Sequence, residues 1–252
     1  MLINDKKIIE PGLLVSAIVS NNYRTADVFR KYDIDFCCGG KWPLQLVCEI
    51  KKLDLSMIQT ELKEADRIVY LPASLEFENW NIDFLTEYIV NVHHQYLKKA
   101  FPIASDYLVH FAEGHQKKYP YLAELLEIFE GLKKELLPQL IQEEDILFPY
   151  IRQIARAYYS KESYAGLLVR TLRKPEENVM RHKHDMVNKF IQGMRQLTGH
   201  YVVPENACVN HKVTFSKLSE IDNDLVQHMH LENNFLFPKA IAMENELLLR
   251  KD

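Results

Sequence analysis

Glycine is scarce in this chain, 8 residues in 252, and alternating runs of β-branched residues are few. Both absences argue against sheet and for an all-α protein. Positive charge is not in excess: the formal net charge is −4 and the pI about 6.2. A nucleic-acid partner held by a basic field is therefore not expected. No apolar run approaches the roughly 18 residues of a membrane span, so no membrane partner is expected either. The opening residues Met1-Leu2-Ile3-Asn4-Asp5-Lys6-Lys7 lack the apolar core of a signal peptide. Four cysteines, two of them adjacent, do not make a secreted disulfide framework. The expected setting is reducing and cytoplasmic. What remains is 47% hydrophobic and 26% charged, an ordinary globular composition on a chain long enough for one or two domains.

The pattern divides the chain in two. Residues 1–75 read as a small helical module. Leu13, Leu14, Ile18 and Val19 have helical spacing, Ala26, Val28 and Phe29 begin a second short helix, and Leu44 to Cys48 and Ser56 to Leu62 give two more. Between them, Asp33-Ile34-Asp35-Phe36-Cys37-Cys38-Gly39-Gly40-Lys41-Trp42-Pro43 is a tight turn. Leu71-Pro72-Ala73-Ser74 is the best linker. Residues 76–252 read as four long helices, roughly Asn81 to His110, Tyr121 to Ser160, Pro175 to Leu197 and Asn210 to Leu249. Pro102 should kink the first, and Pro138 and Pro149 should bend or break the second. Three connections, with Gly114 to Pro120 and Tyr201 to Ala207 as loops, give an up-down-up-down four-helix bundle. That architecture places metal sites between facing helices.

One stretch of the last helix carries chemistry. His228 and Glu232 stand four residues apart, about 40° apart around the helix and one turn along the same face. An imidazole and a carboxylate inside an apolar helix are costly to bury without a partner, and a transition metal satisfies both. The stretch has an echo: Glu143-Glu144-Asp145-Ile146-Leu147-Phe148-Pro149 matches Glu232-Asn233-Asn234-Phe235-Leu236-Phe237-Pro238, at 232 − 143 = 89. His94 and His184 are related by 184 − 94 = 90. A fixed offset marks an internal repeat. It fails at one place, since 228 − 89 = 139 and residue 139 is Gln.

The repeat selects His94, Glu143, His184, His228 and Glu232 as metal ligands. One histidine on a helix is more often structural than ligating, but five donors at repeat-related positions reverse that. Nitrogen and oxygen donors without thiolate suit iron, manganese or zinc, and two facing carboxylates could bridge a pair of ions. His93 stands about 100° from the face of His94, and His182 and His230 about 200° from their neighbours; these read as supporting or surface groups. His115, in a loop, could reach the site. Cys37 and Cys38 have two readings, as turn residues or as a redox or metal-handling pair. Adjacent Cα atoms lie ~3.8 Å apart, so a bond between these thiols would be strained and easily reduced. Cys48 reads as buried apolar filler.

Ala26-Asp27-Val28-Phe29 followed by Asp35-Phe36-Cys37-Cys38-Gly39-Gly40 closely resembles the N-terminal module of the Repair of Iron Centers family, the di-iron iron-sulfur cluster repair proteins. Asn91-Val92-His93-His94, Glu143-Glu144 with Leu147-Phe148-Pro149, His182-Lys183-His184-Asp185, and His228 with Leu231-Glu232-Asn233-Asn234 and Leu236-Phe237-Pro238 resemble its hemerythrin-like domain. The resemblance covers nearly the whole chain. It implies a non-haem site of two iron ions, with four His and two Glu ligands and the glutamates bridging. Carried over, these are His94, Glu143, His184, His228 and Glu232, and the sixth, a His at 139, is Gln139 here. One ion should then be held more loosely or be missing.

The function so implied is a stress response: repair of iron-sulfur clusters damaged by oxidative or nitrosative stress, with iron supplied from a labile site. Damaged iron-sulfur proteins are the partners, nitric oxide or oxygen the small ligands, and a homodimer is consistent with the resemblance. Reduction of nitric oxide to nitrous oxide would make it an enzyme, with Cys37 and Cys38 as a transient catalytic relay. The rivals are a hemerythrin-like oxygen or nitric oxide sensor without turnover, and a single-metal protein holding zinc or manganese.

Overall fold

The structure is a computed structural model that describes residues 9–36, 40–65, 76–161, 169 and 177–249. The Cys37-Cys38 pair and the Leu71–Ser74 linker fall outside the described residues. Among those described there is no strand, only an isolated bridge between Leu14 and Pro43, and the protein is all-α as expected. Among them, too, no helix is long and apolar enough to cross a membrane. The chain forms two compact units, Met1–Pro72 with Tyr201–Lys217, and Ala73–His200 with Leu218–Asp252.

In the first unit the short helices are Val15–Asn21, Thr25–Lys31, Leu44–Lys51 and Leu55–Ala65. Each follows an apolar spacing read above. Val15, Ile18, Ala26, Phe29, Leu44, Ile58 and Leu62 are buried. The turn closes by backbone hydrogen bonds from Val15 N–H to the Trp42 carbonyl (3.1 Å) and from Ser16 N–H to the Gly40 carbonyl (2.9 Å). Gly40 is required there, because a Cβ would run into the Phe36 carbonyl and the Ser16 side chain. Cys48 is buried, and burial pushes its thiol pKa up, which suits filler rather than a reactive group. Residues 201–217 also belong to this unit, and Lys217 Nζ donates to Asp27 Oδ2 at 2.7 Å.

The second unit is the helical bundle. Its first long helix runs from Ile82 to His115, its second from Leu122 to Ser160, its third is Glu177–Thr198, and its fourth ends at Leu249. Polar contacts fix the directions. Thr86 meets Arg152, Lys98 meets Glu144, and Ser105 meets Glu130, so the first two helices are antiparallel. Glu143 lies by His184 and Gly131 faces Phe190; His184 meets Asn233 and Arg195 meets Asp222. Trp80 accepts from Lys239, and His93 meets Asp224. Each sequential neighbour is antiparallel, and the fourth helix runs antiparallel to the first: the arrangement is up-down-up-down.

Helix continues through Pro102 and Pro138, and Pro149 does not break the second helix. A π turn, Glu143–Leu147, stands just before Pro149: Phe148 N–H reaches five residues back to the Glu143 carbonyl. Proline lacks an N–H and its ring clashes with the carbonyl four residues behind, and a locally wider turn relieves that clash here, whereas Pro102 and Pro138 sit in helix without one. The fourth helix repeats the device, with a π turn at Glu232–Leu236 before Pro238 and Phe237 N–H bonded to the Glu232 carbonyl. The first has a π turn at Ile89–His94. Three of the four long helices thus widen at a candidate ligand, a placement common at functional sites. Ile82, Leu85, Ile89, Phe148, Ile151, Leu231 and Leu236 pack into a buried core along the same stretch of the bundle.

Candidate metal centre

All five candidate ligands converge between the helices, and His94, Glu143, His184, His228 and Glu232 are each at most 3% exposed. One donor atom from each of His94, Glu143, His228 and Glu232 lies within 4.8 Å of all the others. His94 Nε2 and His228 Nε2 stand 3.0 Å apart. Glu143 Oε2 is 3.4 Å from His94 Nε2 and 3.9 Å from His228 Nε2, while Glu232 Oε1 is 3.3 Å from His228 Nε2. His184 Nε2 sits on the other side, 3.2 Å from Glu232 Oε2 and 4.0 Å from Glu143 Oε1. Each carboxylate therefore turns one oxygen toward the His94–His228 pair and the other toward His184. The centre has two lobes joined by two carboxylates.

The lobes are supported in parallel. His94 Nδ1 meets Glu144 Oε1 at 2.8 Å, and Lys98 Nζ holds that carboxylate at 2.8 and 2.6 Å. Burial opposes ionisation of Glu144, but Lys98 and His94 outweigh it and keep the pKa low. An ionised carboxylate only accepts, so the proton of His94 sits on Nδ1 and the lone pair of Nε2 faces the cluster. His184 Nδ1 meets Asn233 Oδ1 at 3.0 Å. Residues 144 and 233 are again related by 233 − 144 = 89. Phe148 stacks on His94 (5.6 Å between centroids) and Phe237 on His184 (6.2 Å), and they too are related by 237 − 148 = 89. The repeat encodes carboxylate, orienting group and ring stack together. Glu144 and Asn233 had this offset as their signal and were not singled out from the sequence.

Gln139 is buried where the repeat leaves out a histidine, and its Nε2 donates to Glu143 Oε1 at 2.8 Å. His93 is buried and meets Asp224 Oδ1 at 3.0 Å, its ring 6.1 Å from that of His228: a supporting group. His230 is exposed and bonded to Asn234. The side chain of His182 lies outside the described residues, as do Cys37 and Cys38. His115 cannot reach the centre. It ends the first long helix, bonded to the Phe111 carbonyl, and 115 − 94 = 21 residues at 1.5 Å each put it about 31 Å along the axis from His94.

The electrostatics fit a cation. Burial and the neighbouring His228 push His94 down to about 4. Burial disfavours the His184 cation too, but Glu143 and Glu232 more than offset it, and the ring is pushed up to about 10. Burial and the nearby Glu232 raise Glu143. Glu232 stays ionised against its burial because His228 and His184 face it. Glu143 Oε2, His184 Nε2 and both oxygens of Glu232 are buried without a hydrogen-bond partner. Each orphaned buried group costs about 1–3 kcal/mol, and a cation bound among them would satisfy all four. Nitrogen and carboxylate donors without thiolate match iron, manganese or zinc, with His94 and His184 held by outer partners in the manner of metal-ligating histidines.

Residues 86–240 match the hemerythrin HHE cation binding domain, and residues 14–66 match ScdA_N, a domain of unknown function (DUF542). Among curated relatives, the chain is 29% identical over 228 residues to the iron-sulfur cluster repair protein ScdA of Staphylococcus epidermidis, covering 90% of this chain and 97% of the relative. It is 30% identical over 222 residues to the iron-sulfur cluster repair protein YtfE of Edwardsiella ictaluri, covering 87% and 92%. Against YtfE of an Escherichia coli strain it is 28% identical over 221 residues, covering 88% and 93%. With both domains matched in order and nearly all of each relative covered, this chain belongs to the hemerythrin HHE family and, within it, to the iron-sulfur cluster repair proteins.

Proposed function

We propose that this protein holds iron between its four long helices and restores damaged iron-sulfur clusters by giving iron up to them. One observation carries this reading: five buried donors from four helices, with orphaned oxygens and nitrogens aimed at one another, are built for a cation. His94, His184, His228, Glu143 and Glu232 would be the ligands, with both glutamates spanning two ions. Bound there, ferrous iron would supply Lewis acidity and a one-electron reductant, and as cargo it would be what a damaged cluster lacks.

The chain's own groups set how the cargo is held. Lys98 fixes Glu144, Glu144 fixes the proton of His94 on Nδ1, and Asn233 does the same for His184. Phe148 and Phe237 flank these two rings. The His184 lobe, short of one imidazole, is where nitric oxide or oxygen would enter as a small ligand.

The test is direct. The chain is loaded with ferrous iron anaerobically, freed of excess, and mixed with a hydratase whose cluster has lost one iron to give [3Fe–4S]+, with dithionite in every arm to supply the one electron that, with a ferrous ion, returns it to [4Fe–4S]2+. Hydratase activity should return without added iron, and it should not return with chain carrying Glu143→Ala and Glu232→Ala. No return with the iron-loaded wild-type chain would sink the proposal.

A further inference from the structure

The two lobes are unequal. The His94–His228 lobe has two imidazoles 3.0 Å apart and one oxygen from each carboxylate, Glu143 Oε2 at 3.4 and 3.9 Å from them and Glu232 Oε1 at 3.3 Å from His228 Nε2. The other has one imidazole, His184, and the remaining oxygens, Glu232 Oε2 at 3.2 Å and Glu143 Oε1 at 4.0 Å. Where the repeat sets a histidine, the fourth donor of this lobe would come from Gln139. That side chain is buried and commits its amide N–H to Glu143 Oε1, the oxygen that faces His184. Turned about its last torsion, the amide would offer a neutral oxygen, a far weaker donor than an imidazole to a first-row transition metal.

We propose that the lobes load unequally: the His94–His228 lobe keeps its ion, while the His184 lobe, completed by Gln139, holds an exchangeable ion that is the one handed on. This rests on the iron-centre reading above. The ion leaves as ferrous iron with its charge and no change of oxidation state. As it leaves, the amide N–H of Gln139 takes up Glu143 Oε1, so the vacated lobe does not leave that oxygen bare. The chain would thus be a one-resident, one-cargo carrier, with residue 139 setting the affinity of the cargo position.

The experiment is anaerobic ferrous titration of the metal-free full chain against a chromophoric chelator. The wild type should bind two ions in separate steps. The second should be weaker by more than the roughly 10–100-fold that loss of an outer-shell partner costs, and it alone should be lost on a desalting column carrying chelator. Gln139→His should tighten the second step at least about tenfold and leave the first unchanged. His184→Ala should abolish the second step and spare the first, with circular dichroism confirming the fold. One ion in the wild type and two in Gln139→His would overturn the cargo role, since no second ion would be there to hand on. Two equal steps in the wild type, or a second step unmoved by Gln139→His, would overturn it. An absence of any iron binding would overturn the iron-centre reading as well. Unequal steps with no hydratase recovery would overturn the proposed function while leaving the unequal lobes intact.

Discussion

Glu144→Ala is the sharpest test of how the centre is held, because Glu144 touches a candidate ligand but offers no donor to the cluster. Its Oε1 lies 2.8 Å from His94 Nδ1, and Lys98 pins the carboxylate from the other side at 2.6 Å. Removing it deletes a hydrogen bond to a charged group, about 1.5–3 kcal/mol, and frees the imidazole to turn or to move its proton to Nε2, the nitrogen that must stay bare. Lys98, 30% exposed, can swing into water at little cost. At about 1.4 kcal/mol per decade, most of that loss appears as metal affinity weakened by roughly 10–100-fold. Glu144→Gln keeps the shape and an acceptor oxygen but not the charge, so its loss should be about tenfold. The effect should fall on the His94–His228 lobe, and Asn233→Ala should fall on the His184 lobe by the same reasoning. Chelator competition reads the affinity, and cobalt substitution reads the ligand field by visible absorption. If Glu144→Ala bound metal within about twofold of the wild type with its thermal midpoint unchanged, the orienting argument would be refuted.

Three further outcomes follow from packing and charge. Arg195 Nε reaches Asp222 Oδ2 at 2.7 Å, tying the third helix to the buried Asp222 of the fourth; Arg195→Met should cost about 2 kcal/mol in denaturant unfolding, and an unchanged midpoint would remove that tie. A Cβ on Gly131 would stand 2.9 Å from Phe190 Cε1, so Gly131→Val should lose about 1–3 kcal/mol to overpacking, against only about 0.5 kcal/mol gained in helix propensity; a rise in midpoint would contradict it. Asp54 Oδ1 caps Leu55–Ala65, accepting from the Ser56 hydroxyl and from the N–H groups of Ser56 and Met57, which hold its carboxyl below the ordinary range. A depressed folded pKa gives stability that is present above the unfolded value of about 3.9 and is lost as pH falls through the folded value. The melting difference between wild type and Asp54→Ala should therefore be full at pH 6 and shrink in acid below pH ~4; a difference that grew in acid would reverse the sign.

The long helices were legible because an apolar stripe at 3.6-residue spacing has few competing explanations over thirty or more residues. Leu122–Ser160 and Val209–Leu249 begin and end within a residue or so of the boundaries the pattern predicts. The first long helix runs five residues past its expected end at His110, to His115, because Phe111 and Ala112 are buried and extend the stripe. The candidate donors were legible for another reason: an offset of 89 pairs Glu143 with Glu232 and one of 90 pairs His94 with His184, a cross-check that no single histidine offers. The place of residues 201–217 in the first unit was not legible, since a helical stripe states that a face is covered and not by what.

The π turns were the less visible part, and they bear on the chemistry. A helical wheel turns every residue by about 100°, so it assumes an unbroken ladder from His228 through Pro238. Yet the Glu-x-x-x-Leu-Phe-Pro spacing of both halves already held the cue. Proline six residues after the glutamate removes a donor from the ladder, and the turn before it widens, with Phe148 and Phe237 bonding five residues back to the Glu143 and Glu232 carbonyls. The widened turn starts on the glutamate itself, so the backbone that positions each carboxylate is that of a π turn standing just before a proline in both halves. The same segment supplies the orienting residue, Glu144 or Asn233, and the stacking ring, Phe148 or Phe237. A duplicated seven-residue segment thus builds most of the centre twice, and the two copies part at one decisive position outside it. His228 precedes Glu232 by one turn, whereas Gln139 precedes Glu143, and that difference leaves one lobe an imidazole short.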